Sequence, residues 1–502
     1  MVFLEVILGV SLCLFVLAKW WQWSSRRFWM VNGVSYIPGI PFIGALKEAF
    51  LFKKSIGELI LDLYNDEKTK NQPISGFYFF HKASLIIREP ELIKRILVKD
   101  FNFFQDRRVA TDAQSDTIGG NTMPLIKGEN WKNIRSNISP IFTGVKMKNF
   151  YLLLKEVCEV FEEKLSREIC IEKQYDIKEL SGHLTVDMLA ICAFGVNANS
   201  LNNSQSQFYE QARSISNFTW RRAINFCGCF FFPELASFLK FTMFPDSVNN
   251  FMRDSINYVI EQREQSGTKR NDLIDVLITM KNMRKDIFHG DILVAQAAVF
   301  LAAGFETTAS ATSFALYELA KHQDIQENLR KEILEELRNH GEVSYERINQ
   351  MEYLQIVVLE TLRLYPTLPF LDRVYMPTGD ELYSLEPYNK FCIPPGMPVY
   401  IPALAIHRDP KFYPDPLKFN PERFRNCDKN SLNQYLFLAF GQGPRGCIGA
   451  RFGMFQVKLA IISVLKNYQV DCCEETPPAI RMAKKSLIMQ SEDPINLVFR
   501  KL

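Results

Sequence analysis

The chain has 502 residues, 47% apolar and 23% charged, which excludes a disordered polymer and a disulfide-stapled mini-domain and supplies core for one large domain. With 59 Lys plus Arg against 56 Asp plus Glu, the net charge of +3 is too balanced for a nucleic-acid binder that works by bulk phosphate neutralisation. The eleven cysteines are scattered, without a CxxC pair, and read as reduced thiols facing cytosol rather than a secreted disulfide framework or a zinc site.

Residues 2–18 are apolar except for Glu5 and Ser11, long enough to span a bilayer at the short end of the range. Lys19, Trp20, Trp21, Trp23, Arg26 and Arg27 follow directly. Aromatic and then basic residues after the apolar run mark the interface and the cytosolic side, whereas a cleavable signal carries its basic residues first. The pattern predicts an uncleaved transmembrane signal anchor over residues 1–20, leaving the sequons at Asn137, Asn202 and Asn217 unglycosylated in the cytosol. Residues 21–44 form an interfacial stretch and a stiff elbow, in which Pro38 and Pro41 forbid helix. Residues 45–502 contain no repeat or low-complexity tract and read as one domain.

Residues 74–80 and 84–88 predict a β-hairpin, and Pro90 opens a helix over 91–99. Long helical patterns dominate thereafter. Residues 226–244 hold seven phenylalanines, more aromatic surface than one short helix buries, so they form either core or a second patch dipping into a bilayer. Gly290-Asp291 offers an N-cap to a helix that is apolar nearly all round over 292–305. Within it, Ala302-Ala303-Gly304 lacks bulk and Glu306-Thr307-Thr308 follows. Small residues allow close helix packing and Thr bonds back to a carbonyl, yet an acid in a buried helix points to function. Glu360 and Arg363 share a face of a helix over about 346–364 closed by Pro366. His407-Arg408-Asp409-Pro410 and Pro421-Glu422-Arg423-Phe424 lie in a long Pro-rich coil that needs anchoring.

Residues 434–440 read as a strand, and Gly441-Gln442-Gly443-Pro444-Arg445-Gly446 matches the G-x-G-x-x-G dinucleotide fingerprint, with Asp471 ending a later strand over 468–470. Too little chain follows Asp471 for further β-α units, and no such alternation precedes the loop. The competing reading uses Phe440, Gly443, Arg445, Cys447 and Gly449. Cys447 follows the glycine-rich loop and begins a helix, where backbone amides and the helix dipole stabilise a thiolate. The glycines admit a flat partner, and Arg445 supplies a fixed positive charge.

Phe440-x-x-Gly443-x-Arg445-x-Cys447-x-Gly449 resembles the haem-binding signature of cytochrome P-450 monooxygenases, and the resemblance covers essentially the whole chain. It implies a mainly α fold: a single large haem domain with small β-sheets behind the anchor helix. Residues 303–308 resemble the family's oxygen-activating motif, with Thr307 and Glu306 in catalytic roles, and Cys447 is implied as the axial ligand of haem b (iron protoporphyrin IX). Trp131, Arg135, Arg373 and Arg107 resemble haem-propionate contacts, and Glu360, Arg363 and Arg423 the family's structural triad. The anchor and elbow resemble the endoplasmic-reticulum branch, with the body on the cytosolic face; Glu306-Thr307-Thr308 and His407-Arg408-Asp409-Pro410 are closest to animal, above all insect, members that oxidise xenobiotics and lipids. The implied activity inserts one oxygen atom of O2 into a lipophilic small molecule. Electrons then come from NADPH through NADPH-cytochrome P-450 reductase, with cytochrome b5 as a further donor, at a basic face where Lys132, Lys146, Lys148 and Lys458 are candidates. By position, residues 111–118, Phe300, 367–370 and 486–488 line the substrate pocket. A haem protein that rearranges peroxides or merely carries haem is the rival, and it has no need of Glu306 and Thr307.

Overall fold

The computed structural model describes residues 2–112, 114–168, 172–270, 272–285, 287–425 and 435–502. Contacts gather into two compact units, each built from three stretches of chain: a sheet unit (1–108, 368–414, 432–446) and a helical unit (109–367, 415–431, 447–502). Because the chain crosses repeatedly between them, neither is marked by a linker in the sequence. The strands among the described residues are β1 (Ile74–Phe79), β2 (Lys82–Ile87), β3 (Glu172–Asp176), β4 (Leu371–Val374), β5 (Tyr383–Ser384), β6 (Cys392–Ile393), β7 (Pro398–Ile401), β8 (Tyr468–Cys472) and β9 (Asn496–Lys501).

The sheet unit is organised by a four-stranded sheet in the order β1-β2-β7-β4. β1 and β2 form the expected hairpin, with Ile74 opposite Ile87. The next helical segment runs from Pro90, with its last turns, Arg95–Lys99, wound as a π-helix. The N-terminal helix, Val2–Val31, is longer than the apolar run that predicts it. A one-turn helix, Ala403–His407, takes up the start of the Pro-rich stretch. Residues 435–440 form turns and coil, not a strand; Gln434 lies outside the described residues. The reason is local: the Leu438 N–H goes to His407 Nε2 (2.8 Å) and its carbonyl closes a turn onto Gly441 (2.9 Å), which leaves no edge to pair.

The helical unit is built around the 32-residue helix Gly290–Lys321, which is buried along most of its length. Gly304 lets it approach the helix Ile177–Leu189 closely, since a Cβ there would lie 2.7 Å from Leu189 Cδ2. Its N-cap is His289 rather than the expected Gly290-Asp291 pair. Asp291 is engaged elsewhere, accepting from Arg253 Nε (3.0 Å) and from the Thr117 hydroxyl. The expected single helix over 346–364 is two, Tyr345–Gln350 and Glu352–Leu364. A distant side chain, Glu332, caps the second by accepting from Tyr353 N–H and Leu354 N–H, both at 2.9 Å. β8 pairs antiparallel with β9, which pairs antiparallel with β3. Asp471 therefore ends a strand of an antiparallel sheet, and the dinucleotide reading fails. The phenylalanine-rich segment divides: Phe226, Phe231, Phe241 and Phe244 are buried, whereas Phe238 is 83% exposed beside exposed Leu235 and Leu239.

Candidate functional site

In the helical unit, Cys447 exposes its thiol three residues before the helix Ala450–Leu465, whose N-cap is Gly449. The cysteine thus precedes the helix instead of beginning it, because residues 448–449 complete a turn first. None of the nine described cysteines forms a disulfide, and Cys170 and Cys427 lie outside the described residues. Trp131 and Arg135 sit four residues apart on one face of the helix Gly128–Ile138, Trp131 buried and Arg135 partly so. Burial lowers the Arg135 pKa, and the negative charge available to Cys447 opposes that shift.

The helix Gly290–Lys321 is buried almost throughout from Leu293 to Ala320, yet Ala303 is exposed and Thr307 partly exposed, one turn apart. The Thr307 hydroxyl donates to the Ala303 carbonyl at 2.6 Å. Glu306 is buried on a different face and accepts from the Ser310 hydroxyl at 3.0 Å. It lines a polar cavity of about 360 Å³ with Lys178, Glu179, Tyr209, Arg213 and Gln490. Ser486 lines the same cavity, and Phe300 stacks on Phe142, ring centres 5.9 Å apart. Neither Ser310 nor the cavity was expected from sequence; the four-residue spacing from Glu306 is the signal that finds Ser310.

Glu360 and Arg363 are fully buried and bonded twice, Arg363 Nε to Oε2 at 2.7 Å and Nη2 to Oε1 at 2.8 Å. Arg423 Nε and the Asn420 N–H add bonds to Oε1 at 3.0 and 2.9 Å, and Arg363 Nη1 holds the Pro416 carbonyl at 2.8 Å. The acid and two arginines expected together do come together, and they fasten residues 415–423 to the helix Glu352–Leu364; Arg423 itself lies on a short 3-10 helix, Pro421–Phe424, where irregular chain was expected.

In the sheet unit, Gly443 adopts φ +70°, and a Cβ there would fall 1.9 Å from the Leu97 carbonyl oxygen, so only glycine fits. Phe440 is partly exposed just ahead of this turn. Arg445 Nε donates to the Gln105 carbonyl at 2.8 Å, with Asp106 3.5 Å from its Nη2. Arg373, buried on β4, donates from Nη1 to the Asp372 carbonyl at 2.7 Å, while its Nε has no hydrogen-bond partner among the described residues. Arg107 Nε is likewise buried without one. Burial drives the Arg373 pKa down to about 9, and repulsion by Arg107 and Arg445 adds to it, against a smaller pull from Asp372. Buried cations with open N–H groups suit a dianionic group such as the two propionates of haem, so the donor chemistry present fits that cofactor.

One expected contact is corrected. Lys458 is 2% exposed and donates to the Ile348 carbonyl at 3.1 Å, with its pKa pushed by burial to about 8. It cannot belong to a docking face, because the helix carrying it is apolar on nearly every side. Lys132 and Lys148 are at the surface, paired with Glu129 (2.6 Å) and Glu346 (2.7 Å).

The cytochrome P450 family profile matches residues 36–499. The "Probable cytochrome P450 6g2" of Drosophila melanogaster is 39% identical over 487 residues, covering 94% of this chain and 93% of the relative. Cytochrome P450 6j1 of Blattella germanica is 37% identical, covering 94% of this chain and 92% of its own length. Cytochrome P450 6k1 of the same insect is 36% identical, covering 98% and 96%. With the thiol, the arginines and the single match along nearly the whole chain taken together, this chain belongs to the cytochrome P450 family and is an insect haem-thiolate monooxygenase.

Proposed function

We propose that this enzyme oxidises lipophilic small molecules, xenobiotic, steroid or fatty-acid-like, at the cytosolic face of the endoplasmic reticulum. Its electrons come from NADPH through NADPH-cytochrome P-450 reductase, with cytochrome b5 as a second donor. Residues 1–20 anchor it, 21–44 form the interfacial elbow, and 45–502 the haem domain. The observation that carries the reading is the exposed Cys447 thiol ahead of a helix, behind a loop whose glycine admits no side chain.

Haem b, when bound, supplies oxygen reduction and the transfer of one oxygen atom to substrate. Cys447 would hold it through its thiolate, stabilised by the helix that follows and by Arg135. Arg373, Arg107, Arg445, Trp131 and Arg135 are the residues that would hold its propionates, and Phe440, Gly443 and Gly449 would shape the loop. Glu306 collects protons through its polar cavity, and the Thr307 hydroxyl, free to turn from the Ala303 carbonyl, positions a proton donor on the exposed side of its helix. Glu360, Arg363 and Arg423 keep the coil in place. Lys132, Lys146 and Lys148 remain as the reductase face, so docking there breaks two surface ion pairs and its salt dependence is shallow.

The test is Cys447→Ser with reductase, NADPH and a panel of lipophilic compounds. The red-shifted thiolate band of the ferrous carbon monoxide complex and all product are expected to vanish. An unchanged band contradicts the ligand assignment; product without reductase contradicts the electron source.

A further inference from the structure

The bilayer anchor is usually pictured as a tether, but here the helix Val2–Val31 does not end at the edge of its apolar run. It continues until Trp29 is fully buried in the sheet unit. The indole lies across β1 where Gly76 has no side chain: a Cβ at Gly76 would fall 2.5 Å from Trp29 Cδ2. Phe28, Tyr78 and Phe391 surround it, with ring centres 4.8, 6.1 and 5.9 Å away. The Val34 N–H donates to the Trp29 carbonyl at 3.0 Å, and Ile37 N–H to the Gly76 carbonyl at 2.8 Å, so the exit from the helix is fixed as well. The indole N–H has no partner among the described residues, which makes shape the reason for a tryptophan here.

A second observation lies a few residues on. Ile40 and Gly44 exchange two backbone hydrogen bonds, 2.9 and 2.8 Å, and hold Phe42 at the tip in the left-handed region, φ 65°. A bulky residue there is strained, and such strain persists where the surroundings impose it. Phe42 is 46% exposed, and its ring contacts Trp21 of the anchor helix, centres 6.4 Å apart. Ile40 (38%), Phe50 (60%) and Leu51 (49%) are exposed too, while Leu46 and Ala49 between them face inward. Lys19, Arg26, Arg27, Lys47 and Lys53, which flank these residues in the chain, are exposed as well, and exposed apolar side chains accompanied by exposed cations suit acyl chains beside anionic headgroups.

We infer that Trp29, seated over Gly76, makes the anchor helix a rigid strut of the sheet unit, and that the strut seats Ile40, Phe42, Phe50 and Leu51 in the membrane interface as a second bilayer contact. This rests on the reading of residues 1–20 as a bilayer anchor.

The full-length holoenzyme is placed in nanodiscs of phosphatidylcholine with a minority of phosphatidylserine. A nitroxide is attached through a genetically encoded keto amino acid, which spares the native cysteines, at Phe50 or, separately, at Leu8. Depth is read from the relative accessibility to oxygen and to a polar nickel complex. Both positions are expected to lie in lipid in the wild type, and Trp29→Ala is expected to move the Phe50 label into water without moving the Leu8 label. If Trp29→Ala does not load haem, Gly76→Ala displaces the indole instead. A Phe50 label in water while Leu8 is in lipid overturns the second contact and leaves the anchor standing. A Phe50 label in lipid in every variant overturns the role of Trp29. A Leu8 label in water overturns the anchor itself.

Discussion

Two clusters of arginine differ in what they lack. Around Glu360 the hydrogen bonds close within the protein: Arg363 and Arg423 share one carboxylate, both guanidinium groups also reach backbone carbonyls, and Glu360 and Arg363 are fully buried. Around Arg373 the bonds do not close: Asp372 and Asp106 stand beside Arg373, Arg107 and Arg445, yet the Nε atoms of Arg373 and Arg107 have no acceptor among the described residues. The first cluster is complete within the protein, as a purely structural network has to be. The second is incomplete in protein alone, and incompleteness in a buried site is the mark of a ligand. Sequence shows the Glu360–Arg363 pair by its spacing but not which arginines the fold leaves short of acceptors.

The largest effect sharpens the first half of this comparison. Glu360→Ala leaves two buried cations facing each other and is expected to cost roughly 3 to 5 kcal/mol, enough that little folded protein survives, measured as haem-loaded yield. Normal yield contradicts a self-contained network. A smaller effect separates structure from chemistry at Thr307. If its hydroxyl serves only the Ala303 carbonyl, Thr307→Ala costs about 1 kcal/mol and turnover per haem is unchanged. On the present account the variant still consumes NADPH but releases hydrogen peroxide in place of most product, read from NADPH, peroxide and product measured together; Thr307→Ala with Thr308→Ala removes the neighbouring hydroxyl as a substitute.

The smallest effect concerns another incomplete group. His183 stacks on Tyr209 with its Nδ1 buried and unbonded, and burial pushes its pKa from 6.5 to about 4. Between those values the unfolded chain binds the proton that the folded chain refuses, so stability falls as pH drops from about 6.5 towards about 4. His183→Phe is expected to flatten the slope of the denaturation midpoint against pH across that window; an unchanged slope removes His183 from the account.

Much of this was legible in the sequence. The hairpin announced itself as two short strand-like runs on either side of a brief polar connection, the long buried helix by its lack of a polar face, and the Glu360–Arg363 pair by a spacing of three. What failed was decided at a distance. Residues 435–440 look like a strand because they are apolar, but His407 takes the amide a neighbouring strand would need. The break at Met351 depends on Glu332, whose carboxylate arrives from another helix. Lys458 was misread because a lysine suggests surface, although the helix around it has no polar face on which to expose one. The open Nε atoms of Arg373 and Arg107 have no sequence signature, since they depend on which acceptors the fold leaves out of reach.

The contrast between the two arginine clusters is tested most directly by paired substitutions, Arg363→Met and Arg373→Met, in the full-length holoenzyme. The denaturation midpoint and the rate of haem transfer to a scavenging protein are measured for each. Arg363→Met is predicted to lower the midpoint severely. Arg373→Met is predicted to leave the midpoint nearly unchanged, because it removes a poorly solvated cation, while haem leaves many times faster. If Arg373→Met instead lowers the midpoint as much as Arg363→Met and haem transfer from the remaining folded protein keeps its wild-type rate, the claim that the second cluster is completed by the cofactor is wrong.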